Sequence, residues 1–195
     1  GAGVLMARSV EFGRRYNVPI IVKSTFTNNK GTVVKEKTME EAIVSGVTHN
    51  DKEVKFTLFG VPDQPGIAGT VFGSLSEIGT NVDMIVQNVS KESITDISFT
   101  APSEQQKDVE DALKNISKQL DAKGYDVDEN IARISIIGAG MKSESGVASK
   151  MFKTLGNNKI NISMISTSPI RVSCVISSND IEKALNVLHE EFITN

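Results

Sequence analysis

Strict alternation of apolar and polar positions marks the stretch "VKFTLFGV", where Val54, Phe56 and Leu58 face one way and Lys55 and Thr57 the other. That period of two predicts a half-buried strand. The run ends at Val61, the chain turns through Pro62-Asp63-Gln64-Pro65-Gly66, and the period changes. "GIAGTVFGSLSEIG" places Ile67, Val71, Phe72, Leu75 and Ile78 at helical spacing. Alternation returns in "VDMIVQNV", with Val82, Met84 and Val86 opposed to Asp83, Ile85 and Gln87, and "DISFTAP" reads as a further strand. "SEQQKDVEDALKNISKQLDAKG" predicts a helix with Ser103 as N-cap, a stop near Gly124 and one solvated, charged face. "YDVDEN" is a short strand. Upstream, "GAGVLMARSVEFGRRYN" reads as an amphipathic helix, "VPIIVKSTF" as a buried strand, "TNNKGTVV" as a turn into another, and Ile43 to His49 as a short strand.

The pattern then starts again. From "ARISIIGAGM" onward the order repeats at a shift of about 80 residues. Gly66 falls on Gly146, Ala68 on Ala148, Phe72 on Phe152, Leu75 on Leu155, Asn81 on Asn161, Met84 on Met164 and Ile85 on Ile165. Each unit reads strand, helix, strand, strand, helix. The expected fold class is α+β, ferredoxin-like: two βαββαβ modules with antiparallel sheets and helices on one face. The boundaries are 39–130 and 131–195, with 1–38 ahead of them. The second module has no closing strand of its own, because only "ITN" follows its last helix. The spare strand, "AIVSGVTH", precedes the first module. It is therefore expected to pair with the second sheet and interleave the two.

Composition removes several classes. The chain has 195 residues, a formal net charge of −3, no tryptophan and 5% aromatics. Neither a basic field nor a stacking surface for nucleic acid is evident. The single cysteine, Cys174, cannot form an internal disulfide, which points to a reducing cytosol. It lies with Val172 and Ile176 on the apolar face of "RVSCVI" and reads as core. No apolar stretch is long enough to span a bilayer, and the charge scattered through the N-terminal stretch is not that of a signal peptide. His49 and His189 have no second ligand at metal spacing. "GAGMKSESG" is not followed by the lysine of a phosphate-binding loop. No nucleophile–base pair stands out, and no cofactor is called for.

The junction at Asp63 carries the most chemistry. A helix that begins at Gly66 offers the N–H groups of Gly66, Ile67 and Ala68, and the positive end of a dipole, to an anion. Asp63 can accept from an ammonium or a hydroxyl, and Gln87 on the neighbouring strand can both donate and accept. Together these suit a small zwitterion such as a free amino acid. In the blander reading, Asp63 caps the turn and Gln87 is simply solvated.

Taken together, "GVPDQPGIAGTVF", "NVDMIVQNVS", "TDISFT", "GAGMKSESGVASKMF", "INISMISTSPIRVSCVI" and "ALNVLHEEF" resemble the regulatory half of aspartate kinases, with its tandem ACT modules. The likeness covers nearly the whole chain. It implies that residues 3 to 34 correspond to the end of a kinase lobe and a linker, and that a separately translated regulatory subunit would start near Met39. The lobe that holds ATP has no counterpart here, so the chain is expected to be part of a longer protein and inactive alone. The resemblance further implies a cytoplasmic homodimer that binds threonine, with lysine as a second candidate. Threonine would be held by Asp63, Gly66, Ile67, Ala68 and Gln87 of one chain and Lys159, Asn161 and Ile162 of the other. A second site would draw on Asn81, Val82, Asp83, Met141, Ser143, Gly146, Val147, Ala148 and Ser168. Where lysine-binding members carry an acidic residue after "STS", this chain has Pro169, leaving Glu144 or Asp83 to replace it. The alternative is a module that pairs subunits through its sheets and binds nothing.

Overall fold

The computed structural model describes residues 4–35, 43–89, 93–142 and 144–194. Three antiparallel sheets organise them. The first module contains β4 (Glu53–Pro62), α2 (Ile67–Glu77), β5 (Ile85–Val89), β6 (Ile94–Pro102), α3 (Gln106–Gln119) and β7 (Gly124–Asp128), with strand order β5-β6-β4-β7. The second contains β8 (Ile131–Ile137), α4 (Val147–Asn157), β9 (Met164–Ser168), β10 (Arg171–Ser177) and α5 (Ile181–His189). Its fourth strand is β3 (Gly46–Asn50), which pairs with β8 from Gly46 opposite Ile137 to Asn50 opposite Arg133. The order β3-β8-β10-β9 thus matches that of the first sheet, with the borrowed strand in the closing position, as the missing final strand predicted. A helix, α1 (Ala7–Arg15), and a hairpin of β1 (Ile20–Val22) and β2 (Thr32–Val34) precede the modules.

Each module has a core between its sheet and its helices. In the first, Phe56, Leu58, Ile97 and Phe99 meet Val71, Leu75, Val109 and Leu113. Phe99 stacks on Phe56 at 5.3 Å and takes the edge of Phe72 at 5.7 Å. In the second, Ile134, Ile136 and Cys174 meet Met151, Leu155, Ala184 and Leu188. Burying a side chain of this size stabilises by about 1.5–3 kcal/mol. The helix-free sheet faces meet in a smaller cluster of Met84, Ile131, Met164 and Val175, with Val86 packed against it. Thr57 and Ser98 share a hydrogen bond on that face of the first sheet, as Ser135 and Ser173 do on the second, at 3.0 and 2.8 Å.

The repeat extends to the backbone. Gly66 and Gly146 precede α2 and α4 with φ of 96° and 97°, in the left-handed region that glycine enters without strain. Both helices end alike: Thr80 N–H donates to Leu75 and Ile160 N–H to Leu155, each at 3.0 Å. The preceding residue has positive φ in both, Gly79 in one and Lys159 in the other.

Several expectations need correcting. "VPIIVKSTF" is not a buried strand: only Ile20–Val22 is extended, paired with β2 alone, and Ile21 is 57% exposed. The strand expected at Ile43 to His49 is Gly46–Asn50. Ser103 does not cap α3; Ser103–Gln105 forms a 3-10 turn and Gln105 precedes the helix without a side-chain cap. Gly124 opens β7, and α3 stops at Gln119. Ile78 lies past the end of α2 and is exposed, because the chain turns away there. Met39 and Ser143 lie outside the described residues.

Candidate functional site

Asp63 and Gly66 sit where β4 ends and α2 begins. Asp63 does not cap the helix: Gly66 occupies the cap position and no side chain bonds to the first-turn N–H groups there. The Asp63 N–H donates to the Ser93 carbonyl at 2.9 Å, which ties the turn to the start of β6 and leaves the carboxylate exposed. Gly66 and Ala68 are exposed and Ile67 is half-buried against the core. A polar group and the open end of a helix therefore share one corner.

Gln87 lies on β5, an edge strand of the sheet. It stands opposite Ile97, whose side chain belongs to the helix-side core, so Gln87 is on the same face as α2. It is exposed because an edge strand has a neighbour on one side only. Pro62 pairs with Ile94 and Gln87 with Ile97. The offset is three residues along β6 and two strand spacings across, about 14 Å between backbones. A glutamine side chain and a small amino acid together span such a gap. Gln87 and the α2 end are thus two sides of one open ledge.

Lys159, Asn161 and Ile162 lie in the second module, after α4. Lys159 and Asn161 are exposed and Ile162 packs on the second core. They occupy the position there that Gly79, Asn81 and Val82 occupy in the first.

The residues of the second expected site fall at two places. Gly146, Val147 and Glu144 line a cleft of about 430 Å³ at the start of α4, closed on one side by Phe192 and the Lys150–Glu191 ion pair at 2.8 Å. Ala148 and Met141 are half-buried against the second core, and exposed Ser168 bonds to the Arg171 carbonyl. Asn81 and Asp83 instead line a separate cleft of about 370 Å³ beside Glu53, while half-buried Val82 packs on the first core.

That second cleft contains groups the sequence reading did not single out. Glu53, 5% exposed, pairs through Oε1 with Arg133 Nη2 at 2.8 Å and accepts from Asn50 Nδ2 at 2.7 Å. Arg133 also contacts Asp83, and Arg171 approaches the same carboxylate at 3.9 Å. Burial pushes the Glu53 carboxyl above its usual value, and Asp83 adds to this. Arg133, Asn50 and Thr100 pull the other way. The available signal was a charged residue inside each apolar run: Arg133 in "IARISII" and Glu53 at the head of β4.

Elsewhere, "GAGM" has a structural explanation. A Cβ on Gly138 would stand 1.9 Å from the Ile43 carbonyl oxygen, so this glycine makes room for the chain leading into β3. Cys174 is fully buried and its thiol is pushed up to about 12 by burial. Among the described residues no helix is long and apolar enough to cross a membrane.

Two interleaved βαββαβ modules, each with a glycine-started helix beside a sheet edge, define a tandem ACT-domain protein. Models of the ACT domain match residues 55–121 and 134–192. The aspartate kinase of Pseudomonas fluorescens is 44% identical over 195 residues, which cover 98% of this chain and 47% of that protein. The chain therefore spans about half the length of the curated relatives it matches. Among solved structures, the regulatory subunit of aspartate kinase from Thermus thermophilus, in its ligand-free form, is 35% identical with a TM-score of 0.73 over 77% of this chain and 99% of that one. A structure of aspartokinase alpha and beta subunits is 38% identical, with a TM-score of 0.72 over 76% of this chain and 98% of that one. The chain belongs to the ACT-domain regulatory regions of aspartate kinases.

Proposed function

We propose that this chain is the allosteric region of an aspartate kinase and binds threonine for feedback control of aspartate-derived amino-acid synthesis. Its partners in this reading are a kinase lobe and a second copy of the chain, in the cytoplasm. The observation that carries it is the ledge formed by the glycine-started α2, exposed Asp63 and the same-face Gln87. The N–H groups of Gly66, Ile67 and Ala68 take the α-carboxylate. Asp63 takes the ammonium and Gln87 the hydroxyl. The ledge is open, so Lys159, Asn161 and Ile162 of a second copy would close it. The competing reading, a pairing module without a ligand, draws on the edge strands β5 and β9, where Ile85 and Ile165 are 50% and 43% exposed.

Calorimetric titration with threonine separates the two. Binding by the wild-type chain, weakened about tenfold or more by Asp63→Ala and by Gln87→Ala without loss of fold, is the expected outcome. Equal affinity in both variants would place the ligand elsewhere, and no heat with any amino acid would leave the pairing module.

A further inference from the structure

β4 does not run regularly to the corner at Asp63. Leu58 stands opposite Ile97 and Val61 opposite Thr95, so three steps along β4 match two along β6. Phe59 and Gly60 together face Asp96, the two-against-one count of a β-bulge. The extra residue resets the phase of the strand. Leu58 and Val61, three apart, would point to opposite sides of a regular strand, yet both are fully buried in the first core. From Val61 the chain passes through Pro62 to Asp63 and Gly66. The bulge therefore sets the direction in which the chain enters that corner. β8, the equivalent strand of the second module, pairs with β10 in unbroken register and ends at Ile137.

Both neighbouring strands brace the bulge. Gly60 is buried with φ of 62°, and its N–H donates to Asp96 Oδ1 at 2.8 Å, a carboxylate where a regular ladder would supply a carbonyl. Lys123, just before β7, donates its N–H to the Phe59 carbonyl at 2.9 Å. The Asp63 N–H then reaches the Ser93 carbonyl at the same distance. A buried N–H displaced from its ladder needs such an acceptor. We infer that Asp96, by holding the Phe59–Gly60 bulge, is a positioning residue for the amino-acid corner at Asp63 and Gly66. The inference rests on the reading of the chain as an amino-acid sensor. Asp96 acts through the backbone of β4 and does not itself touch the ligand.

The test is calorimetric titration with L-threonine, joined to amide hydrogen exchange at Gly60 and Asp63 in the ligand-free chain. Asp96→Ala removes the acceptor and is expected to weaken threonine about tenfold and to speed exchange at both amides. Asp96→Asn keeps an acceptor oxygen and is expected to stay close to the wild type in both. Val54→Ala, in the first core at the far end of β4, is the control for general loss of stability: it is expected to lower the melting temperature and leave threonine affinity unchanged. Wild-type affinity in Asp96→Ala, equal weakening in Asp96→Asn, or equal weakening in Val54→Ala overturns the inference. Should Asp96→Ala not fold, Asp96→Ser, whose hydroxyl is too short to reach Gly60, takes its place under the same criteria. If the wild-type chain binds no threonine, the sensor reading falls by itself, and exchange alone decides on the bulge. Protection lost in Asp96→Ala and kept in Asp96→Asn supports its hold on the corner, and protection unchanged in Asp96→Ala overturns it.

Discussion

Two single residues show how local chemistry serves the interleaved fold. Gly138 touches the backbone before β3, where an added Cβ would meet Ile43 O at 1.9 Å and Val44 Cα at 2.7 Å. Neither atom is a flexible side-chain end. Gly138→Ala should therefore cost about 1–3 kcal/mol, the usual penalty of overpacking, read as a lower denaturation midpoint. An unchanged midpoint would mean that the lead-in to β3 moves freely. Glu53 supplies a pH signature. Its carboxyl is held above the usual 4.5 because burial outweighs the attraction of Arg133. Below 4.5 the folded and unfolded chains both hold this proton. As pH rises, the unfolded chain releases it first, so Glu53's contribution to stability falls until the raised folded value is passed. Denaturation of wild type and Glu53→Gln at several pH values should show the wild type losing ground to the variant from about pH 4 upward. A wild-type advantage that grows with pH would refute that balance between burial and pairing.

At the scale of elements, β3 is the strand on which the second sheet depends. It covers β8, brings Val47 to the second core, and is preceded by buried Val44. A chain beginning at Lys52 should keep β4 through β7 but open the second module. Cys174 gives a direct reading, since its thiol is fully buried with its pKa pushed up to about 12. Alkylation should be slow in the full chain and fast in the shortened one; equal protection would show that β3 is dispensable. Much of this was legible in the sequence. The period of two in "VKFTLFGV" gave the right faces, and in "VDMIVQNV" it was right for Met84 and Val86 but not for Val82, which lies ahead of β5 and packs on the first core instead. The borrowed strand followed from counting strands per repeat. "VPIIVKSTF" misled because consecutive apolar residues read as a buried strand, whereas β1 has only β2 beside it. The Asp63–Gly66 corner was visible as a turn before a helical period. The Glu53–Arg133–Asp83 cluster was not, because its members are far apart in sequence and meet only where the two sheets pack.

Over the whole molecule, the ledge proposed to hold threonine is open, and the proposed reading closes it with a second chain. Asp63, Gly66 and Gln87 are exposed on one module, and Lys159 and Asn161 are exposed on the other. Edge strands β5 and β9 each have a free side and an exposed isoleucine, Ile85 and Ile165, to bury against a copy. A two-fold pairing that sets β5 of each chain against β9 of the other would bring the first module of one chain to the second module of its copy. A ligand held across that seam binds the dimer more tightly than the monomer, and by linkage it tightens the dimer to the same degree. Sedimentation velocity at several chain concentrations should therefore show the monomer–dimer midpoint falling when threonine is added. Dilution should in turn weaken threonine binding. Lys159→Ala, an exposed change after α4, should reduce both effects together while leaving the melting temperature of the free chain nearly unchanged. A chain that stays monomeric and binds threonine at full strength would rule out the cross-chain pocket. The ledge at Asp63 would then be a complete site, and control of a kinase lobe would have to run through the packed sheet faces at Met84 and Met164 rather than through assembly.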